Sequence, residues 1–175
     1  AHTHRPQESN ARLYVGIAAQ GRSPKVMLLR TYLALLGAAQ KAYKLESRLQ
    51  PASKQPKGWT PAADPYMTLL GYFNSLRELG GSRRIIEDEI TTRLVGFASR
   101  KRVGETDGSF ENRKIAYEPV ELTSRESTAK VAEAKRRLAL QFVDKDHVDV
   151  AIATNMISVG LDIVRLGLMV VFGQP

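Results

Sequence analysis

The stretch VDVAIATNMISVGLDI, residues 148–163, determines how the rest of the chain is interpreted. Apolar residues alternate from Val148 to Ile152, which is the spacing of a strand, and the short polar residues Thr154 and Asn155 follow. A second apolar run, 166–172, begins soon afterwards. Open α/β sheets bind ligands just beyond the carboxyl ends of their strands. The stretch therefore predicts a functional loop between the last two inner strands of a sheet.

Composition limits the classes of function. The 175 residues include 26 Lys+Arg and 18 Asp+Glu, a formal net charge of +8 that favours a polyanionic partner such as nucleic acid. There is no cysteine, so disulfides are excluded and a reducing, cytoplasmic location is expected. No apolar run approaches the ~20 residues needed to cross a bilayer, and no membrane partner is expected. The alanine start and the end directly after a strand predict a piece of a longer protein.

Strand-like and helix-like patterns alternate along the chain. The pattern predicts strands at 12–19, 67–73, 115–122, 148–154 and 166–172, and helices at 24–49, 76–94 and from 127 or 128 onward. Ser75 and Glu78 have capping-box spacing, and Pro119 predicts either an edge position or an irregular start for its strand. Residues 99–114 are charged and contain glycine, which predicts an exposed loop. Such alternation is typical of an α/β fold in which helices cover both faces of a mostly parallel sheet.

Residues Gly16–Ser23 have the spacing of a phosphate-binding loop between a strand and a helix. However, Arg22 stands where that motif needs lysine, and Pro24 removes an amide donor. The two interpretations are a nucleotide-cradling loop and an ordinary glycine turn with a capping serine, and the sequence favours the second.

Signatures of metal sites and of serine hydrolases are missing. The histidines are His2, His4 and His147, and no set of metal ligands converges on any of them. The acidic cluster at 144–149 is predicted to form a solvated turn.

Three motifs in order carry a resemblance to a known family. Residues 68–75 (TLLGYFNS), 120–125 (VELTSR) and 153–162 (ATNMISVGLD) are similar to motifs IV, IVa and V of superfamily-two helicases and translocases. Residues 66–175 thus resemble the second RecA-like lobe of that family. Residues 123–175 also resemble the helicase-like component of DISARM-type anti-phage systems.

The resemblance implies roles for particular residues. Two RecA-like lobes clamp ATP between them, with nucleic acid across their tops, and Gly160 and Asp162 would contact the nucleotide. Contacts to the nucleic-acid backbone would come from Asn74, Ser75, Thr123, Ser124, Arg125, Arg136, Thr154 and Asn155. The full-length protein would use ATP and Mg²⁺, would bind nucleic acid, with DNA favoured over RNA, and would pair this lobe with its own N-terminal RecA-like lobe.

The resemblance also predicts what this chain lacks. The first lobe and the last, arginine-bearing motif fall outside it, so the chain alone is expected neither to hold a cofactor nor to hydrolyse ATP. Its organisation is predicted as a strand-helix segment at 1–50 that packs on the lobe, a proline-rich linker or loop at 51–65, and the lobe itself at 66–175.

Simpler interpretations remain for each site residue. Thr154 and Asn155 could end a strand, Asp162 could cap a turn, and Arg125 and Arg136 could be solvated. The alternative function is a non-catalytic RecA-like module that binds nucleic acid or a protein. A small-molecule enzyme such as a methyltransferase is disfavoured, because the glycine-rich turn and paired acidic residue that it needs are missing.

Overall fold

A computed structural model describes residues 13–18, 20–50, 56, 58–116, 118–154, 163 and 165–173. The strands are β1 (Leu69–Phe73), β2 (Val120–Leu122), β3 (Val150–Thr154) and β4 (Leu168–Phe172). All neighbouring pairs are parallel, and the order in the sheet is β2-β3-β1-β4. The predicted α/β fold with a parallel sheet is confirmed, and the architecture is consistent with a RecA-like domain.

Helices begin where the sequence places hydroxyl caps. The helices are α1 (Pro24–Leu49), α2 (Leu76–Arg84), a π-helical turn (Ile85–Ile90), α3 (Thr91–Leu94) and α4 (Thr128–Leu138). The hydroxyls of Ser23, Ser75 and Ser127 each accept a hydrogen bond from an amide three residues ahead. Within the described part of the chain, no helix is long and apolar enough to span a bilayer.

Helices cover both faces of the sheet. Leu69 and Phe73 of β1 point into a core with α1, α2 and the π-helical turn. Leu70, between them, points into a second core that includes Ala134 and Leu138 of α4. Successive side chains point to opposite faces because a strand has a two-residue period. Since both faces are covered, β1 and β3 are almost continuously apolar.

A glycine in β1 lets α1 approach the sheet closely. A Cβ atom added at Gly71 would lie 2.0 Å from the hydroxyl of Tyr32, which is fully buried on α1. Burial raises the pKa of Tyr32 far above its ordinary value, so the phenol stays neutral. Only glycine at position 71 leaves room for this ring.

The strand predicted at 12–19 is wrong. Residues 13–18 form no strand, and Leu13, Tyr14 and Val15 are largely exposed. A strand needs a hydrogen-bonded neighbour, and no described strand lies beside this stretch. The strand that a phosphate-binding loop at Gly16–Ser23 would require is therefore missing from residues 13–18.

β4 lies at an edge of the sheet, whereas the sequence predicted it to be an inner strand. Among the described strands, β1 and β3 are the inner ones, because β4 pairs only with β1 and β2 pairs only with β3. The edge position predicted from Pro119 for β2 is confirmed. Met169 of β4 is 60% exposed, because no described helix covers that side of the edge strand.

Residues 99–114 are not a wholly exposed loop, because Arg113 is buried. Its guanidinium donates to Asp149 Oδ1 at 2.6 Å and to the carbonyl oxygen of Met67 at 2.5 Å. The Ala116 amide donates to Asp149 Oδ2 at 3.0 Å, and the ring of Phe142 lies 5.2 Å from the guanidinium carbon. Asp149 belongs to the acidic cluster predicted to be solvated, and that prediction is wrong for it.

The carboxyl group of Asp149 is ionised. Burial alone would raise its pKa, but hydrogen bonds from His147, Arg113 and the amide of Ala116 outweigh burial and hold the pKa below its ordinary value of 3.8. A charge pair therefore lies inside the fold at the amino end of β3.

A second ion pair lies at the same edge of the sheet. Arg165 donates through Nε to Asp64 Oδ2 at 2.5 Å, and it also donates to Thr68 Oγ1 at 3.1 Å. The amide of Phe142 donates to the other oxygen of Asp64 at 2.9 Å. These contacts join the start of β1 to the residues that precede β4.

We expect Asp149→Asn to lower the free energy of unfolding by about 3–5 kcal/mol, because it leaves a buried guanidinium without its counter-charge. Both side chains of the pair are at most 1% exposed. Urea denaturation would measure the loss. The matched control is Arg93→Ala, which removes an exposed pair with Glu89 and should cost no more than about 0.5 kcal/mol. Equal losses of unfolding free energy in the two variants would contradict a special stabilising role for the buried pair.

His147 should make stability depend on pH. Its Nε2 lies 3.6 Å from Asp149 Oδ1, and the interaction with this carboxylate raises the pKa of His147 above 6.5. The stabilisation is present below about pH 6.5 and is lost as the pH rises through the raised pKa. Between about pH 6 and pH 8 the free energy of unfolding should fall more steeply in the wild type than in His147→Gln. If the two proteins show the same dependence of unfolding free energy on pH, His147 does not contribute to it.

Candidate nucleic-acid interface

The carboxyl ends of the strands meet at one edge of the sheet. Phe73 is in register with Thr154, and Leu122 is in register with Ala153, so β1, β2 and β3 end within one residue of each other. The predicted residues brought to this edge are Asn74 and Ser75 after β1, Thr123, Ser124 and Arg125 after β2, and Thr154 at the end of β3. The parallel topology thus gathers polar groups from three strands.

The end of β2 is organised by Glu121. Its Oε1 accepts from Thr123 Oγ1 at 2.6 Å and from Arg125 Nη2 at 2.8 Å, and its Oε2 accepts from Arg83 at 3.4 Å. The hydroxyl of Thr123 in turn accepts from the amide of Arg125 at 3.3 Å. One carboxylate therefore fixes the conformation of the predicted phosphate-contacting turn.

Glu121 remains charged although its side chain is only 7% exposed. Burial would raise its pKa, but the hydrogen bonds from Thr123 and Arg125 and the charges of Arg125 and Arg83 lower it. The Arg125 side chain is 52% exposed and keeps surface available to a ligand. The guanidinium of Arg125 is thus held by Glu121 on one side and is exposed to solvent on the other.

Two helices begin at this edge. Ser75 accepts from the amide of Glu78 at 3.2 Å and starts α2 directly after β1, and Ser127 starts α4 shortly after β2. The amides of a first helical turn and the helix dipole favour anions at such positions. Asn74 lies beside Gly173, where an added Cβ would be 2.9 Å from its side-chain nitrogen, so the end of β4 is also adjacent.

Arg136 is not brought to this edge. It lies eight residues beyond the start of α4 at Thr128, about 12 Å along the helix axis. Its guanidinium donates to both carboxylate oxygens of Glu133, at 2.6 and 2.8 Å, on the exposed face of the helix.

Asn155, Gly160 and Asp162 lie outside the described residues, so their predicted roles stay predictions. The chain is described up to Thr154 at the carboxyl edge and again at Ile163 and from Arg165, which pairs with Asp64 at the opposite edge. Among the residues that the structure covers, no cluster of three or more potential metal ligands occurs.

Sequence analysis overlooked Glu121 as part of the site. The available signal was the spacing of a carboxylate two residues before Thr123 and four before Arg125 at the end of a strand. These residues meet only because the turn after β2 brings Thr123 and Arg125 back to Glu121, and the sequence does not show that orientation.

Comparison with known proteins gives one informative similarity. No protein-family model matches the chain. Over 164 residues, or 94% of its length, the chain is 40% identical to the DISARM protein DrmA of Bacillus paralicheniformis. The aligned part is 13% of that relative, so the chain spans about an eighth of it. The similarity links this chain to one region of DrmA.

Proposed function

We propose that the chain is part of a DISARM-type anti-phage defence protein and contributes nucleic-acid backbone contacts to an ATP-dependent superfamily-two helicase or translocase that acts in the cytoplasm. The observation that carries the proposal is the convergence of Asn74–Ser75, Thr123–Arg125 and Thr154 at one edge of a parallel sheet. Similarity to DrmA over 94% of the chain supports the link to defence.

The chemistry of the edge suits a phosphodiester backbone. The hydroxyl of Ser75, the guanidinium of Arg125 and the first amides of α2 and α4 are groups that bind phosphate oxygens, and Thr123 helps to hold Arg125 in place. Such contacts fix the register of a strand without reading its sequence. The net charge of +8 favours the same partner, which we propose is DNA.

ATP and Mg²⁺ belong to the longer protein in this proposal. Gly160 and Asp162, by resemblance, would form one wall of the nucleotide cleft, and the other wall would come from an N-terminal RecA-like lobe. The phosphate-binding lysine and the acidic residues that hold Mg²⁺ would lie in that lobe. The chain alone is therefore expected not to turn over ATP.

In the full-length protein, Asp162→Ala should lower DNA-stimulated ATP hydrolysis at least about tenfold and leave DNA binding within about twofold, because it removes a nucleotide contact only. Arg102→Ala, which removes an exposed arginine outside the edge, is the matched control. Steady-state hydrolysis with and without DNA or RNA measures the effect. If DNA and RNA fail to stimulate the wild type, the motor proposal gives way to a non-catalytic binding module.

Glu121→Ala should weaken binding of single-stranded DNA by about tenfold, or ~1.4 kcal/mol, because Thr123 and Arg125 lose their anchor. Glu121→Gln should recover part of the affinity, since its amide oxygen can still accept from both residues. Fluorescence anisotropy measures binding. Simple electrostatics predicts the opposite sign, because both variants remove a negative charge near the phosphates. Tighter binding by Glu121→Ala would contradict the positioning role.

A further inference from the structure

A basic groove lies on the outer helical layer, away from the residues of the candidate interface. It has a volume of about 730 Å³ and runs between the first part of α1, from Lys25 to Ala34, and the end of α2 with the π-helical turn. Phe97 and Phe110 close one side of it. No residue assigned to the carboxyl edge lines the groove, so its chemistry is separate from that site.

Cations dominate the groove. The charged lining residues are Lys25, Arg30, Arg84, Arg93, Arg100, Asp88 and Glu89. Arg93 is neutralised by Glu89 at 2.8 Å, and Arg100 lies over the ring of Phe97, 5.8 Å from its centroid. The excess over the acidic residues is three positive charges, five cations against two carboxylates.

Three of these cations are available to a ligand. Lys25, Arg30 and Arg84 are exposed, and among the described residues they form no ion pair or side-chain hydrogen bond. Another arginine of α2 is paired, since Arg83 lies 2.8 Å from Glu87. Three unpaired cations around one concave surface indicate a site for an anion.

The floor of the groove argues against a protein segment as its ligand. Leu29, Leu33, Ile85 and Phe97 line the floor, and each is at most 8% exposed. A docked helix gains most of its affinity from apolar anchors, and these four side chains offer little surface of their own to cover. Surfaces that bind phosphate groups are positively charged, as this one is.

The spacing of the cations indicates several linked anionic groups. Lys25 and Arg30 are five residues apart on α1, about 7 Å along the helix axis, and Arg84 lies across the groove on α2. The three charged groups thus come from two helices on either side of the groove, an arrangement that suits several linked anionic groups. A guanidinium binds phosphate oxygens in a two-pronged geometry, and an ammonium binds them as a point charge.

We propose that this groove binds a ligand that carries linked phosphate groups, with Lys25, Arg30 and Arg84 as the residues that hold them. The ligand is either a free polyphosphate or the backbone of a single-stranded nucleic acid, which present the same groups. The proposal does not rest on the role assigned to the carboxyl edge of the sheet.

The test compares two triple variants of the 175-residue chain. The first is Lys25→Gln, Arg30→Gln and Arg84→Gln, and the matched control is Arg102→Gln, Lys114→Gln and Lys145→Gln, which removes three exposed cations outside the groove. Both sets lower the net charge by the same amount. Thermal denaturation checks that each variant stays folded.

Two probes distinguish the sources of phosphate. Inorganic tripolyphosphate is titrated by calorimetry, and a fluorescein-labelled oligothymidylate of about twelve nucleotides is titrated by anisotropy. The groove variant should lose at least about tenfold in affinity for one or both, whereas the control stays within about twofold. Loss for tripolyphosphate alone identifies a free polyphosphate. Loss for the oligonucleotide, with a salt slope reduced by about 2, identifies a nucleic-acid backbone.

Equal affinities in the groove and control variants, for both probes, would overturn the proposal. Binding of polyglutamate that depends on the same three cations and exceeds binding of both phosphate probes would also overturn it. A double variant at the carboxyl edge, Thr123→Val with Arg125→Gln, should bind tripolyphosphate like the wild type. The experiment can therefore contradict the proposal for the groove without contradicting the proposal for the carboxyl edge, and the reverse.

Discussion

The buried ion pair between Arg113 and Asp149 is the constraint on which the arrangement of the sheet depends. Asp149 directly precedes β3, and Arg113 also donates to the carbonyl of Met67, two residues before β1, so one guanidinium fixes the amino ends of both inner strands. Hydrogen bonds offset the cost of removing a charge pair from water, and the Asp149 carboxylate receives them from Arg113 and the amide of Ala116, whereas Arg113 Nε is buried without a hydrogen-bond partner among the described residues. Because these anchoring contacts lie at the amino edge, polar groups at the carboxyl edge can serve a ligand.

The parts of the fold that depend on local chemistry could be predicted from the sequence. The helices begin at Ser23, Ser75 and Ser127 because a hydroxyl there accepts from an amide three residues ahead, and the sequence shows that spacing directly. The prediction of a strand at 12–19 was wrong. Alternating apolar residues reveal a tendency to form a strand, but they do not reveal the neighbouring strand that must pair with it. Arg113 and Asp149 are 36 residues apart, and nothing near either one indicates the other.

The candidate site shows the same division. Parallel topology, which the sequence indicated, is sufficient to bring Asn74, Thr123 and Thr154 to one edge. The role of Glu121 depends on how the turn after β2 folds back on the strand, a three-dimensional fact without a sequence signature. Arg136 was grouped with the edge by motif order, yet the rise of the helix carries it about 12 Å away. Gly160 and Asp162 stay predictions because they lie outside the described residues.

Helix α2 connects the two surfaces that could hold phosphate. It begins at Ser75 on the carboxyl edge, and nine residues later Arg84 lines the basic groove, about 13 Å along the axis. The neighbouring Arg83 lies on a different side of the helix, where it contacts Glu121 and so supports the turn that carries Arg125. Consecutive arginines point to different sides because residues on a helix are about 100° apart. Helix α2 therefore carries both an anchor of the candidate interface and one wall of the groove, although the two surfaces share no residue.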